Sequence, residues 1–343
     1  MIFASDNWSG PHPAINAALA ANGAGMASAY GASELDKAVE QRFNEIFERE
    51  VAVFFVGTGT AANSLSFAAV NRPGGVVLCH REAHVIEDEC GAPEFFTHGA
   101  RMAPVDGDGG LIDTVNLRRE LKRFNPAFVH AGQPMAVTVS QPGEAGTIYP
   151  ATLLDDIAAI AHENNLSLHM DGARFANACA YLGCSPAELT WKSGIDVLCF
   201  GGTKNGMAVG EAILFFNHAL AEDFDYRCKQ AGQLASKMRF LSAPWVGILE
   251  NGAWLKYARH ANHCAQLLAE LVSDIPDVEL MFPVQANGVF LQLSEPAIAA
   301  LTAKGWRFYT FIGNGGARFM CSWDTEEERV RELARDIREV MSH

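Results

Sequence analysis

The sequence predicts an α/β protein whose larger part is built on a mostly parallel central sheet flanked by helices. Two observations predict it: short runs that are apolar throughout, and amphipathic helical patterns between them, such as residues 151–164. Strands that are apolar on both faces and alternate with helices are typical of parallel sheets covered on both sides. The runs expected to form strands are residues 51–56, 75–79, 127–131, 166–170, 197–200 and 212–216.

The first helices can be read from periodicity and capping residues. Residues 33–47 place their apolar side chains on one face at helical spacing, and Ser33 supplies the N-cap. A second helix follows the strand at 51–56 and opens with the Gly-Thr turn at residues 57–60. A strand that leads into a helix is the repeating unit of such sheets.

The pattern changes after about residue 217, where helices replace the alternation of strands and helices. Residues 240–271 are rich in Trp, Leu and Ala, and a charged helix is expected at 325–341. We therefore predict a large domain of residues 1–240, to whose site the N-terminal segment contributes, and a small C-terminal α+β domain of residues 241–343. Short strands of the small domain are expected near residues 278–282, 288–292, 306–311 and 318–321.

Composition and charge limit the classes of partner. The 343 residues include 40 acidic and 26 basic side chains, which gives a net charge of −14. Such a surface repels phosphates, so neither nucleic acid nor an anionic membrane is an expected partner. No apolar run reaches the roughly 18 residues of a transmembrane helix, and the first residues do not resemble a signal peptide. The eight cysteines show no metal-binding spacing, which predicts free thiols in the cytoplasm and no metal.

Two side chains of opposite charge lie shortly after two of the predicted strands. Asp171 ends the run at 166–170, and Lys204 follows the run at 197–200 after two glycines and a threonine. The carboxyl ends of parallel strands meet at one edge of a sheet, where ligands collect, so a shared site is expected. The glycines on both sides of Lys204 are expected to clear space for a ligand close to the backbone.

The turn at residues 57–60, Gly-Thr-Gly-Thr, supplies a third feature. A helix that begins with small residues presents free N–H groups and a positive dipole end to a phosphate. The chain therefore carries, in order, a phosphate-binding turn, an acid and a Gly-flanked lysine. Pyridoxal phosphate needs a phosphate anchor, a lysine for its aldehyde and an acid against its ring nitrogen. His84 lies between the turn and Asp171, where a histidine that stacks on the ring is expected.

Seven stretches of the chain carry a resemblance to a known family. They are FASDN, AYG, GTGTAANS, EAHV, LHMDGARFANA, GGTKNGM and ARFMCSWD, and they extend from residue 3 to residue 324. With them the chain resembles the low-specificity L-threonine aldolases, pyridoxal-phosphate enzymes of the aspartate-aminotransferase fold (fold type I). The resemblance implies a lyase that cleaves L-threonine, L-allo-threonine and related β-hydroxy-α-amino acids to glycine and an aldehyde.

The resemblance also implies roles for residues that bind the cofactor. Lys204 would hold pyridoxal phosphate as an aldimine, and Asp171 would face the ring nitrogen. Gly59 and Thr60 would bind the phosphate, and His84 would stack on the ring. The resemblance assigns two further residues to the cofactor: Arg174 and Lys237.

The substrate would be held by its carboxylate. The residues implied are Ser5, Arg174 and Arg318, since paired guanidinium groups suit a carboxylate better than lysines do. Tyr30 and Lys237 are implied to reach the site of a neighbouring subunit in a homotetramer arranged as a dimer of dimers. For Arg174 the alternative is a structural ion pair with Asp171, which lies three residues away.

One stretch departs from the family pattern. Many members carry Asn-Thr-His-x-Gly, where the histidine contacts the substrate hydroxyl, but residues 141–146 here read Gln-Pro-Gly-Glu-Ala-Gly. Either Glu144 takes the place of that histidine, or His84 and water handle the hydroxyl. We hypothesise that His84 is the base, because a histidine titrates near neutral pH without a shift, and that Glu144 orients His84 or a water.

Two other functions stay open from the sequence. The same cofactor and fold also support β-elimination or transamination of an amino acid, which give other products. A cofactor-free sensor of small molecules on the same scaffold is the second alternative.

Overall fold

The computed structural model describes residues 2–125, 127–312 and 316–342. Its larger sheet has seven strands, and most of their residues are buried, in agreement with the continuous apolar runs. These strands are β1 (Ala52–Val56), β2 (Gly75–His80), β3 (Arg101–Val105), β4 (Gln133–Ser140), β5 (Ser167–Gly172), β6 (Val197–Gly201) and β7 (Glu211–Phe215).

The strand order places several chain turns at one edge of the sheet. The order is β1-β7-β6-β5-β4-β2-β3. The pairs from β3 to β6 are parallel, whereas β7 is antiparallel to both of its neighbours. The sheet is therefore mostly parallel, as predicted. Because β7 runs the opposite way, its first residue, Glu211, lies at the same edge as the last residues of β5 and β6.

One predicted strand of the large sheet is wrong, and two of its strands, β3 and β4, were not predicted. Residues 127–131 form turns and are largely exposed, and the strand that pairs with β2 is β4 instead. The β4 strand begins with Gln133 and Pro134, so its apolar signal starts late. The β3 strand, Arg-Met-Ala-Pro-Val, is half-buried at the edge of the sheet and lacks a continuous apolar run.

Helices cover the large sheet, and aromatic side chains fill the space beneath them. Phe43, buried completely, contacts Phe47, Phe200 and Trp245 with ring centroids 6.4, 6.0 and 5.2 Å away. The helices are α1 (Pro13–Gly23), α2 (Glu34–Ile46), α3 (Gly59–Ala69), α4 (His84–Glu87), α5 (Ala92–Phe96), α6 (Thr114–Leu121), α7 (Ala151–Glu163), α8 (Phe175–Leu182), α9 (Phe224–Gln230), α10 (Arg239–Leu249) and α11 (Ala253–Val272).

The C-terminal residues form an α+β unit with a core of its own. Its sheet is antiparallel, with strand order β10-β11-β9-β8, and α11 contributes Leu268 and Val272 to the core. Its elements are β8 (Glu279–Leu280), β9 (Gly288–Gln292), α12 (Glu295–Ala303), β10 (Tyr309–Ile312), β11 (Gly316–Met320) and α13 (Glu327–Met341).

The N-terminal segment belongs to both units. Phe3 packs in the C-terminal core, and its backbone N–H donates to Arg307 while its carbonyl accepts from Met320. The residues that follow Phe3 then run from the C-terminal unit to the large sheet. The domain boundary at residue 240 falls within α10, whose Trp245 and Ile248 pack in the core of the large sheet. The division at that residue stays a prediction.

No helix in the described part of the chain is both long enough and apolar enough to cross a membrane.

Phe43 tests how much the aromatic core contributes to stability. Phe43→Ala removes a completely buried ring and should lower the free energy of unfolding by about 3–5 kcal/mol, because the cavity it leaves can collapse only in part. Phe95→Ala is the matched control, since Phe95 is 75% exposed. Chemical denaturation measures both variants. Equal destabilisation by the two would contradict the assignment of Phe43 to the core.

Candidate active site

A cavity of about 380 Å³ opens at the carboxyl edge of the large sheet. Turns that follow β1, β4, β5 and β6 contribute to its wall, and so does α4. The structure thus brings together most of the residues that the sequence singled out for cofactor and catalysis. Those that line the cavity are Gly59, Thr60, His84, Glu144, Asp171, Arg174 and Lys204.

Asp171 is held as a hydrogen-bond acceptor at the end of β5. It is only 7% exposed, and its Oδ1 accepts the Ala173 backbone N–H at 3.0 Å. Its Oδ2 accepts from the Nδ2 of Asn63 at 2.9 Å, and Asn63 lies on α3. Both oxygens thus have a donor, and the two hydrogen bonds fix the orientation of the carboxylate. Asp171 is therefore suited to face a protonated ring nitrogen.

Lys204 lies in a short turn directly after β6, and glycines allow that turn to form. A Cβ on Gly201 would collide with the backbone carbonyl of Ala173, so β5 and β6 approach each other closely at their ends. Gly206 has φ of 95°, a conformation that favours glycine. At Gly201 the missing side chain admits close packing of the protein backbone, whereas the sequence predicts space for a ligand at these glycines.

Glu211 is a buried acid beside this turn that the sequence analysis missed. Its Oε2 accepts the Gly202 backbone N–H at 2.7 Å, which fixes the turn that carries Lys204. Burial raises the pKa of Glu211 to about 7, although the positive charge of Lys204 opposes that rise. The antiparallel direction of β7 brings this side chain to the site, and periodicity alone does not reveal it.

The turn after β1 presents the start of α3 to the cavity. Thr58 is the N-cap of α3, and its side chain accepts from the Ala61 N–H at 3.1 Å. Gly59 and Thr60 form the first turn of this helix and line the cavity with Thr58. The first N–H groups of a helix have no partner within it, so they are available to an anion such as a phosphate.

His84 is paired with a second acid that the sequence analysis missed. Its Nδ1 lies 3.0 Å from Oε1 of Glu89, whose side chain is completely buried. The Nδ2 of Asn63 also donates to that oxygen at 2.9 Å, so Asn63 bridges Glu89 and Asp171. The hydrogen bond to Glu89 raises the pKa of His84, although burial opposes the rise. No hydrogen bond joins His84 to Glu144 within the described residues.

Arg174 forms a buried ion pair, but with a different partner from the one considered above. Its Nε and Nη2 donate to the two oxygens of Asp6 at 2.6 and 2.9 Å. Burial alone would raise the pKa of Asp6, but the Arg174 guanidinium outweighs it, so this pKa is lowered. The Nδ2 of Asn287 donates to Asp6 as well, at 3.0 Å. The fork uses Nε and Nη2, which leaves Nη1 of Arg174 for a ligand.

Arg318 and Ser5 are not among the residues that line the cavity. Ser5 lines a separate pocket together with Trp8 and Asp324. The pKa of Arg318 is lowered by burial and by the positive charge of Arg174, so the two guanidinium groups are close enough to repel each other. Arg318 Nη2 also lies 3.4 Å from the Ala4 carbonyl oxygen. The Oγ of Ser5 accepts the Asn7 N–H at 3.1 Å. Two neighbouring guanidiniums attract an anion such as a carboxylate.

Tyr30 and Lys237 do not line the cavity of their own chain. Tyr30 is 51% exposed, and the Lys229 ammonium lies 4.8 Å from the centre of its ring. The Tyr30 backbone N–H donates to the carbonyl of Ser236, next to Lys237. The two residues therefore lie close to each other on the surface, and their roles stay predictions.

Four residues of the site have little signal in the sequence. Asp6 and Asn63 lie within the stretches FASDN and GTGTAANS, and Glu89 follows His84 by five positions. An acid or amide next to a motif is more often exposed than buried. Only the contacts of the folded chain mark these side chains as parts of the site: Asp6, Asn63, Glu89 and Glu211.

Comparisons with known proteins agree with this geometry. Residues 3–296 match the family model described as beta-eliminating lyase. A low specificity L-threonine aldolase of Pseudomonas sp. is 62% identical over 341 residues, which cover 99% of this chain and 98% of that protein. The chain belongs to the beta-eliminating lyase family, among its low specificity L-threonine aldolases. The resemblance seen in the sequence is thereby confirmed.

Solved structures confirm the fold as well. Threonine aldolase of Leishmania major superposes with a TM-score of 0.92 at 26% identity, covering 99% of both chains. Aspartate aminotransferase of Thermus thermophilus gives a TM-score of 0.73 at 18% identity, covering 99% of this chain and 91% of the other. The predicted fold type I is therefore correct. Family and fold together imply pyridoxal phosphate as the cofactor.

The buried ion pair between Asp6 and Arg174 should be measurable in unfolding experiments. The Asp6 side chain has no exposed surface, and Asp6→Asn should cost about 3 kcal/mol because a buried guanidinium loses its counter-charge. The lowered pKa of Asp6 means that the folded state binds the proton less tightly than the unfolded chain. The difference should persist above the ordinary carboxyl range and vanish as pH falls through the lowered pKa.

Asp106→Asn is the control for this prediction. It removes an ion pair of the same type, with Arg81 Nε 2.7 Å from Asp106, but both side chains are more than half exposed. Exposed pairs contribute little, so this variant should unfold almost as the wild type does. An Asp6→Asn variant as stable as Asp106→Asn would contradict the role of the buried pair.

Proposed function

We propose that this protein is a pyridoxal-phosphate-dependent carbon–carbon lyase, an aldehyde-lyase. Its substrates would be L-threonine, L-allo-threonine and related β-hydroxy-α-amino acids, and its products glycine and an aldehyde. The observation that carries the proposal is the convergence of Lys204, Asp171 and the start of α3 on one cavity. Full-length relatives named for this activity support it.

The residues of the cavity fit the three demands of the cofactor. When bound, pyridoxal phosphate supplies an aldehyde for a lysine amine and a protonated ring that accepts the electrons of a breaking Cα–Cβ bond. Lys204 would form the covalent link, and Asp171 would keep the ring nitrogen protonated. Gly59 and Thr60 would donate backbone N–H groups to the phosphate.

Arg174 would bind the substrate carboxylate. Asp6 holds its guanidinium in place through two hydrogen bonds, so little side-chain freedom is lost when a ligand binds. The nearby charge of Arg318 strengthens the attraction for an anion. Ser5 is close to this pair in sequence and would add a hydroxyl. Tyr30 and Lys237 would serve the cofactor and substrate of a neighbouring subunit.

His84 would remove the proton from the substrate's β-hydroxyl. The reaction needs a base near Cβ that titrates close to the working pH. His84 lines the cavity, and its Nδ1 is occupied by Glu89, which leaves Nε2 to accept a proton. Glu144 also lines the cavity and would act on the hydroxyl through a water.

We also propose that the enzyme works in the cytoplasm as a homotetramer, a dimer of dimers. All eight cysteines lie within the described residues and are free thiols, in keeping with a reducing compartment. β-Elimination is a second candidate reaction, because the matching family model carries that description. It would release pyruvate or another 2-oxo acid with ammonia in place of glycine and aldehyde.

The test of function is the product formed from each substrate. The purified protein with pyridoxal phosphate should convert L-threonine to glycine and acetaldehyde and should leave D-threonine unchanged. Borohydride reduction and peptide mapping should place the pyridoxyl group on Lys204. Lys204→Ala should lose turnover, because no amine remains to bind the aldehyde. A label on another lysine would refute the assignment of Lys204, and a 2-oxo acid as product would favour β-elimination.

Two substitutions test whether His84 or Glu144 is the base. His84→Phe keeps a ring for stacking but removes the base, so turnover should fall about 100-fold or more with the cofactor still bound. Glu144→Gln should lose less and should shift the preference between threonine and allo-threonine. In the wild type, kcat/KM should rise with pH through a pKa above the ordinary histidine value, because Glu89 raises the pKa of His84.

The pH profiles of the two variants can contradict the assignment of His84 as the base. If Glu144→Gln removes the acidic limb and costs more activity than His84→Phe, Glu144 is the base and His84 serves only to stack.

A further inference from the structure

The surroundings of the Glu89 carboxylate are not explained by a contribution to the stability of the fold. It lies between α4 and α5 with a side chain that has no exposed surface. Its Oε1 accepts from His84 and from Asn63, while its Oε2 is buried without a partner among the described residues. A buried carboxylate oxygen without a donor destabilises the folded state. A carboxylate buried in this way is expected to act on the group that it contacts.

We propose that Glu89 is a positioning residue for His84: it holds the proton on Nδ1 and so makes Nε2 the nitrogen that takes up the substrate proton. The inference rests on the proposed function, since it concerns the base of that reaction. Nδ1 lies 3.0 Å from Oε1 of Glu89. Burial raises the pKa of Glu89, and the hydrogen bonds from His84 and Asn63 oppose that rise. An ionised carboxylate accepts hydrogen bonds and cannot donate them, so a charged Glu89 places the hydrogen on Nδ1. The exposed third of the His84 side chain lines the cavity.

Asn63 extends this arrangement to the other end of the site. Its Nδ2 donates to Glu89 and to Asp171 at the same distance of 2.9 Å. One amide group thus fixes the acid behind His84 and the acid for the ring nitrogen relative to each other. Its Oδ1 is buried and has no partner among the described residues. The two hydrogen bonds donated by Nδ2 therefore set the orientation of the amide. The base and the ring acid are therefore positioned by one side chain on α3.

The charges that face His84 come from four elements. Glu89 precedes α5, Asp171 is the last residue but one of β5, and Glu144 follows β4. All three favour the protonated imidazole, whereas Lys204 after β6 opposes it. Glu89 is the acid in hydrogen-bond contact, and the others act through space. Removing the charge of Glu89 alone should therefore lower the pKa of His84 by about one unit.

The test is nuclear magnetic resonance of the purified protein with isotope-labelled histidine, in which the His84 signal is assigned by its loss in His84→Phe. In the wild type, the nitrogen shifts at high pH should show a protonated Nδ1 and an unprotonated Nε2. In Glu89→Gln, the pH midpoint of His84 should fall by about one unit. Glu87→Gln is the matched control, because it removes the same charge from an exposed position two residues away, and it should leave the midpoint in place.

Each outcome decides the proposal. A His84 protonated on Nε2 in the wild type, or an unchanged midpoint in Glu89→Gln, would overturn it. If Glu89→Gln does not fold, the wild-type nitrogen shifts still decide, since they need no variant of Glu89. The titration requires neither substrate nor turnover, so it can succeed even if threonine is not cleaved.

Turnover separates positioning from general damage to the fold. In active enzyme, Glu89→Gln should lower kcat with little change in KM and move the acidic limb of kcat/KM to lower pH. A variant that loses activity without moving that limb would assign Glu89 a merely structural role.

Discussion

The close approach of β5 and β6 at their carboxyl ends is the constraint on which the site depends. The ends are so near that position 201 tolerates no Cβ against the Ala173 carbonyl. Because the strands pair in parallel register, with Asp171 opposite Cys199, the acid and the lysine turn leave the sheet at the same edge. The separation of the backbone at Asp171 from the turn that carries Lys204 is thus set by strand packing.

Around this edge the protein buries several charges, and each is tied to a neighbour. Asp6 pairs with Arg174, Glu89 with His84, and Glu211 with the turn that carries Lys204. Buried charges are costly unless they are paired, so these groups cannot move independently. The result is a preorganised cavity in which the groups proposed to bind the cofactor, to hold the substrate carboxylate and to take up a proton keep fixed positions.

The N-terminal segment connects the two parts of the chain at this site. Phe3 is packed in the C-terminal core, and three residues later Asp6 contacts Arg174 at the start of α8. Asn287, which precedes β9, completes the contact. The surroundings of Arg174, the proposed carboxylate ligand, are therefore assembled from the large sheet, the C-terminal unit and the N-terminal segment.

The sequence by itself determined the fold class and the residues that end the strands. Continuous apolar runs and helical periodicity are local signals, and parallel strands bring Asp171, Lys204 and the turn at 57–60 to one edge through topology alone. The run at 127–131 predicts a strand but forms turns, because hydrophobicity does not distinguish a strand from an apolar turn. Only the tertiary structure decided which charges pair. Arg174 pairs with Asp6, 168 residues away, and not with Asp171 three residues away. Glu89 pairs with His84 rather than facing solvent. Pairing depends on distance and desolvation in the folded chain, and neither quantity is encoded in the spacing of residues.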